Sequence, residues 1–258
     1  MELFDLLRLP GFLLIFARVT GFFLMIPLFS YRGIPARHKM GLIFFLTWIM
    51  FYSVQIPVMA IDGQYFMLLL KELMVGIMIG FIAYLILAAI QIAGGFIDFQ
   101  MGFAIANVID PQTGAQSPLI GQFLYTITLL FLITVDAHHM LLDGIFYSYD
   151  FIPMEQMIPF EEGSIPLFLI KMFSLMFLIA FQMSIPIVGC LFLVDVALGI
   201  VARTVPQLNV FVVGLPLKIF VSFAVLLVSF GIYIILVRQL FETMIKAMRD
   251  LMILIGGA

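Results

Sequence analysis

Six long apolar runs constrain the fold of this sequence more than any other feature. They cover residues 11–31, 40–61, 65–97, 119–135, 165–194 and 208–237. A hydrocarbon core about 30 Å thick is crossed by roughly 20 helical residues, so each run is long enough to span a membrane. Because backbone amides in lipid must be satisfied within the spanning element, helices are the expected structure. The sequence therefore predicts an all-α membrane protein with six long apolar helices.

The composition agrees with this class and excludes several others. Hydrophobic residues make up 64% of the 258 residues and charged residues 10%, against roughly 25% charge in a soluble domain. The net charge of −3 offers no basic surface for nucleic acid. Cys190 is the single cysteine, which excludes an internal disulfide. The sequence lacks a GxxxxGKS or GxxxxGKT loop for nucleotides, and we expect no cofactor.

The loop charges predict the orientation of the chain in the membrane. Arg32, Arg37 and Lys39 lie between the first two runs, whereas six acids and no Lys or Arg lie between residues 136 and 162. Basic residues are retained on the cytoplasmic side, so the first connection is predicted to be cytoplasmic and both termini outside. The basic residues after position 237 favour the opposite orientation.

Residues 96–118, FIDFQMGFAIANVIDPQTGAQSP, interrupt the apolar runs with polar groups. Pro111 stops any helix that continues past Asp110. At membrane depth, irregular backbone persists only where protein buries it or where it lines a watery cavity. We therefore predict that this segment faces the inside of an assembly. As an alternative role, Asp98 and Asp110 would cap helix ends.

The third run carries a charged pair followed by a small-residue motif. Gly76 and Gly80 have the GxxxG spacing that lets two membrane helices approach closely. Glu72 is expected to turn towards a neighbouring helix or subunit, because a lipid-exposed carboxylate would cost several kcal/mol. Lys71 is its neighbour in sequence, so the two side chains are predicted to lie on different faces.

Two adjacent histidines follow the fourth run. His138 and His139 lie near Asp136 and Asp143, a composition that invites a metal or an intramembrane enzyme. Neighbouring helical residues point about 100° apart, however, so the two imidazoles are not expected to share an ion. The sequence therefore predicts a polar turn at the membrane interface and no metal site.

The last third of the chain predicts a hairpin and an amphipathic end. Pro206 and Pro216 break the helical pattern between residues 203 and 218, and Asp195 and Arg203 have a spacing that puts them on one face. Residues 240–255 place apolar side chains on one stripe and charges on the other. Such a helix lies along an interface, on its own chain or on a partner.

Four motifs in this order, RGIPARHKMG, KELMVGIMIG, GGFIDFQMGFAIANVIDP and LGIVARTVPQLNVFVVGLPLK, resemble the FliR family of flagellar type III export gates, related to the SctT and SpaR injectisome proteins. The resemblance covers essentially the whole chain. It implies a FliP-like helical part at 1–164 with a pore plug at about 101–118, a FliQ-like hairpin at 165–237, and an amphipathic C-terminal helix at 238–258.

The resemblance also implies a function. Such a protein is a non-enzymatic subunit in the bacterial inner (cytoplasmic) membrane, within the flagellar basal body. It forms with FliP and FliQ a pore for unfolded flagellar proteins, and it contacts FlhB. The implied plug residues are Met101, Gly102, Phe103, Ile105, Val108, Asp110 and Pro111. The residues expected at subunit contacts are Glu72, Gly76, Gly80, Asp98, Gln100, Arg203 and Lys218, and those of the FlhB-facing hairpin are Pro206, Gln207, Asn209 and Phe211.

A different class of function is also open at this stage. Glu72, Asp98 and Asp110 are acids within or beside apolar runs, which favours a secondary transporter with an intramembrane relay. Such a transporter is expected to show an inverted repeat with matching broken helices. The broken stretches at 110–118 and 203–216 do not match in motif or in flanking length.

Overall fold

The computed structural model describes residues 8–30, 34–57, 61–103, 118–157, 164–207 and 209–256. Within these ranges all regular structure is helical, which confirms the predicted all-α class. The helices are α1 (Leu9–Met25), α2 (Pro27–Ser30), α3 (Ala36–Ser53), α4 (Gly63–Met101), α5 (Leu119–Thr134), α6 (Ala137–Phe151), α7 (Ser164–Thr204) and α8 (Val210–Gly256).

Among the described residues, three helices are long and apolar enough to cross a membrane. They are α4 with 39 residues, α7 with 41 and α8 with 47, and a fourth crossing results if the bent pair of α5 and α6 counts as one span. The predicted count of six crossing helices is therefore not confirmed. The first run, for example, is divided at Ile26, whose extended backbone precedes Pro27.

The C-terminal amphipathic segment is not a separate helix, in contrast to the prediction. Residues 240–255 continue α8, which runs unbroken from Val210 to Gly256. No glycine or proline lies between residues 232 and 255 to end the helix. The predicted break after α7 is shorter than expected, because α7 ends at Thr204 and Pro216 lies inside α8. Proline inside a membrane helix is tolerated when local adjustments satisfy the freed carbonyl.

The chain divides into two compact units that are not contiguous in sequence. The first comprises Met1–Leu87, Ile133–Phe173 and Glu242–Ala258, and the second comprises Ala88–Leu132 and Ser174–Phe241. The division into a FliP-like and a FliQ-like part follows other boundaries and stays a prediction.

The core of the first unit is built around α1. Leu14, Ile15 and Phe22 are fully buried, and the glycines of α4 let its backbone reach α1. A Cβ on Gly76 would overlap the carbonyl oxygen of Arg18, and a Cβ on Gly80 would lie 2.8 Å from that of Phe22. The GxxxG motif therefore makes its close contact within the chain. The last turns of α8 bury their apolar stripe in the same unit: Met244, Met248, Leu251, Met252 and Ile255.

Candidate functional site

The predicted plug segment begins at a well-defined helix stop. Gly102 has φ +90°, a left-handed conformation that glycine adopts at little cost. The N–H of Gly102 donates to the carbonyl of Phe99 at 3.2 Å, and the N–H of Phe103 donates to that of Asp98 at 3.0 Å. These two bonds form a Schellman motif. Of the predicted plug residues, Ile105, Val108, Asp110 and Pro111 lie outside the described residues.

Asp98 joins the two helices that flank this segment. Both of its carboxylate oxygens accept the backbone N–H of Ile120, at 3.1 and 3.3 Å, and its side chain is 3% exposed. The carboxylate thus caps the first turn of α5, as the capping alternative predicted for this residue. Gly94 and Gly121 cross beside it so closely that a Cβ on Gly94 would overlap the Gly121 backbone.

Gln100 ties the last turn of α4 to the two long helices of the second unit. Its Nε2 donates to Oδ2 of Asp195 on α7 at 2.8 Å, and the Nζ of Lys218 on α8 pairs with Oδ1 of the same carboxylate. Asp195 therefore pairs with Lys218 and not with Arg203, which is exposed. Met101 itself is fully buried. The segment that follows it therefore starts from a helix end that contacts α7 directly and α8 through Asp195.

A buried ionic cluster organises the first unit. The Arg18 guanidinium binds both carboxylate oxygens of Glu72, through Nε at 2.5 Å and Nη2 at 2.9 Å. It also donates to Ser148 Oγ and to the carbonyl of Ile152, each at 2.9 Å, and lies 3.7 Å over the ring of Tyr149. Arg18 and Glu72 are both fully buried. This bidentate geometry is the one that makes an arginine–carboxylate pair strong.

Lys71 completes the same cluster. Its Nζ donates to Glu72 Oε1 at 2.6 Å and to the carbonyls of Pro153 and Met154 at 2.9 and 3.1 Å. Lys71 and Glu72 were predicted to lie on different helix faces; the long lysine side chain nevertheless reaches its neighbour's carboxylate. The cluster has two cations and one carboxylate. Its excess positive charge lies against the backbone carbonyls of residues 152–154, just after the C-terminus of α6, where the helix dipole is negative.

The tip of the hairpin between α7 and α8 is exposed. Asn209 Oδ1 accepts the N–H groups of Phe211 and Val212 at 3.2 and 3.4 Å, and so caps α8. Pro206, Gln207 and Asn209 are exposed, and Phe211 is 71% exposed. The hairpin thus presents polar groups and one aromatic ring to its surroundings.

One apolar stretch in each of the two hairpin helices buries little of its surface within the chain. In an apolar stretch of 18 residues, 11% is buried in α7 and 11% in α8, against 61% in the corresponding stretch of α4. Phe220, Leu227 and Val228 are more than 70% exposed. Gln182 is exposed near the middle of α7. An amide in the middle of a helix that crosses a membrane needs a hydrogen-bonding partner, which lipid tails do not supply.

Comparison with known proteins identifies the family. The family described as "Bacterial export proteins, family 1" matches residues 9–244. The flagellar biosynthetic protein FliR of Bacillus subtilis (strain 168) is 57% identical over 249 residues, which covers 96% of each chain. The chain belongs to the FliR family. Within it, the FliR of Escherichia coli (strain K12) is 27% identical over 91% of this chain and 89% of its own.

Relatives of this FliR-family chain extend beyond flagella. The Yop proteins translocation protein T of Yersinia pestis is 29% identical over 221 residues, 83% of this chain and 84% of its own. Together with the long apolar helices, these likenesses make the chain a membrane-protein component of a flagellar or type III export apparatus.

Two features of this FliR-family chain were not predicted from its sequence: the buried partner of Arg18 and the close approach of His138 and His139. Arg18 was not singled out, although a lone cation inside the apolar helix α1 signals a buried partner. His138 and His139 were not expected to share an ion, and the structure nevertheless places their imidazoles close together. Their rings lie 4.1 Å apart, and a ligand atom from each lies within 4.8 Å of the other and of Asp136. The left-handed backbone of Asp136 (φ 56°) was not visible in the helical pattern.

Proposed function

We propose that this chain is a non-enzymatic subunit of an inner-membrane export gate, which forms with FliP and FliQ a pore for unfolded flagellar proteins. The observation that carries the proposal is that only 11% of an apolar 18-residue stretch in α7, and of another in α8, is buried within the chain. Lipid alone would cover an apolar face, but it would leave the exposed amide of Gln182 unsatisfied. Neighbouring protein helices would cover both.

In this proposal the segment from Met101 to Pro118 closes the pore. A ring of apolar side chains blocks water and ions by dewetting, and Met, Ile and Val can yield around a moving polypeptide. A closure of this kind needs a fixed base. The Schellman stop at Gly102, the Asp98 cap on α5 and the contact of Gln100 with Asp195 supply one.

The hairpin tip is the surface proposed to contact FlhB. Gln207, Asn209 and Phe211 are exposed there. Single cysteines at positions 207 and 211 are expected to crosslink to FlhB in membranes, whereas a cysteine at the exposed Tyr147 on α6 serves as the control. Equal crosslinking at all three positions would remove the tip from the interface.

The relay of a secondary transporter gains no support from the described acids. Glu72 is bound by Arg18 and Lys71, and Asp98 caps α5. Both carboxylates are thus committed to structural contacts.

Co-purification tests the assembly. The tagged chain, extracted in mild detergent from membranes that contain FliP and FliQ, is expected to retain both partners. Gln182→Leu is expected to weaken this retention, because it removes the amide that needs a protein partner, whereas Gln55→Leu, an exposed site on the first unit, is expected to leave it unchanged. A chain that purifies alone under conditions that keep FliP and FliQ together would refute the proposal.

A further inference from the structure

We propose that Asp136, His138 and His139 form a binding site for a transition-metal ion of the Zn²⁺ type at the start of α6. Each residue offers one ligand atom, and the three atoms lie within 4.8 Å of one another. The site is independent of the proposed pore, because none of its residues is among Asp98, Gln100 and Gly102, which hold the proposed plug, or in the hairpin tip.

The donor set selects the class of ion. Two imidazole nitrogens and one carboxylate oxygen suit Zn²⁺, Cu²⁺ or Ni²⁺, whereas Mg²⁺ and Ca²⁺ prefer oxygen alone. With metal–nitrogen bonds of about 2.0–2.1 Å, donors around a tetrahedral ion lie about 3.3 Å apart. Asp136 and His139 are exposed, so side-chain rotation can close the remaining gap. Three protein ligands leave a fourth position open to water or to another group.

The backbone at this point explains how adjacent histidines converge with the acid. Asp136 precedes α6 with φ 56° and ψ 18°, a left-handed conformation that costs a non-glycine residue about 1–2 kcal/mol. The N–H of His139 donates to the carbonyl of Asp136 at 3.0 Å, which folds the first turn of α6 back onto this residue. The imidazole rings then lie 4.1 Å apart with their planes tilted by 38°.

A second observation is a buried imidazole nitrogen of His138. Nδ1 of His138 is buried and has no hydrogen-bond partner among the described residues. A buried polar atom without a partner costs about 1–3 kcal/mol. Coordination of an ion through this nitrogen would remove that cost. Ion binding would therefore be favoured by more than the proximity of the three ligand atoms.

Equilibrium dialysis of the purified full-length chain in detergent against ZnCl₂, with the bound metal quantified, tests the proposal. We expect about one Zn²⁺ per chain. His138→Ala and His139→Ala are each expected to weaken binding by about tenfold or more. His38→Ala, at the third histidine of the chain, and Asp150→Asn, an exposed acid on α6, are expected to bind like the parent chain.

The result that overturns the proposal is the absence of Zn²⁺ binding by the parent chain, or unchanged binding in both histidine variants. X-ray absorption of the Zn²⁺-loaded parent chain gives a test that does not depend on whether the variants fold. Two imidazole ligands are expected in the spectrum. A spectrum with one imidazole or none would refute a shared site.

Discussion

Replacing Glu72 by glutamine is expected to lower the free energy of unfolding by about 3–5 kcal/mol, the usual effect of removing one partner from a buried ion pair. The structure supports the full effect. Glu72 and Arg18 are both 0% exposed, so water does not screen the change, and Lys71 would also lose its carboxylate. The neutral amide would keep one acceptor oxygen but would leave the buried Arg18 and Lys71 without a counter-charge.

Thermal unfolding of the purified chain in detergent measures this change. For a chain of this size, each kcal/mol shifts the melting temperature by about 2–4 °C, so a fall of about 6–20 °C is expected. Asp195→Asn is the matched control, because it also removes a carboxylate paired with a lysine. The Asp195 and Lys218 side chains are 37% and 21% exposed, and a screened pair of this kind contributes about 0–1 kcal/mol.

A second substitution isolates the role of charge in the cluster. Adding Arg18→Met to Glu72→Gln is expected to recover part of the lost stability, because it removes one of the two uncompensated cations. Equal effects of Glu72→Gln and Asp195→Asn, both within about 1 kcal/mol, would refute the view that the buried cluster holds α1, α4 and α6 together.

Three further substitutions test the local packing, each by its melting temperature. Gly76→Ala is expected to destabilise by about 1–3 kcal/mol, because its Cβ would overlap the Arg18 carbonyl, whereas Gly231→Ala meets nothing within 4 Å and should gain up to about 1 kcal/mol; equal effects would contradict the close approach. Gly102→Ala is expected to cost about 1–2 kcal/mol because of its left-handed backbone, and a neutral result would argue against the Schellman stop. Asn209→Ala should cost about 1 kcal/mol through loss of the α8 cap, and Asn209→Asp, which keeps the acceptor, should not.

The sequence predicted the parts of the fold that depend on composition and local pattern. The apolar runs required helices, and GxxxG in α4 predicted a close helix contact that Gly76 makes with α1. The sequence could not identify the partner, because nothing local distinguishes a helix of the same chain from one of another subunit. It also predicted too many separate elements, since a change from an apolar to an amphipathic pattern does not end a helix that lacks a breaker, as in α8.

The role of a site residue was predictable where it follows from residue type and neighbouring sequence. It was not predictable where it depends on a partner far away in the sequence. Capping was the alternative role predicted for Asp98, beside a subunit contact, and its carboxylate does cap a helix, one that begins 21 residues later at Leu119. The Arg18–Glu72 pair joins residues 54 positions apart, and no periodicity reports such a distance. The convergence of His138 and His139 depends on one left-handed residue, Asp136, which a regular helical wheel cannot represent.

Ion leakage through the reconstituted gate tests whether the segment after Met101 closes the pore. The chain is assembled with FliP and FliQ in liposomes, either intact or lacking residues 104–107, and ion flux is measured without export substrate. Removal of four residues, 159–162, from the acid-rich stretch between residues 136 and 162 serves as the control. Only the first deletion is expected to make the vesicles leak, because it removes part of the apolar closure and leaves the helices that hold it unchanged. Assembled complexes that stay ion-tight after this deletion would refute a pore closure by this segment.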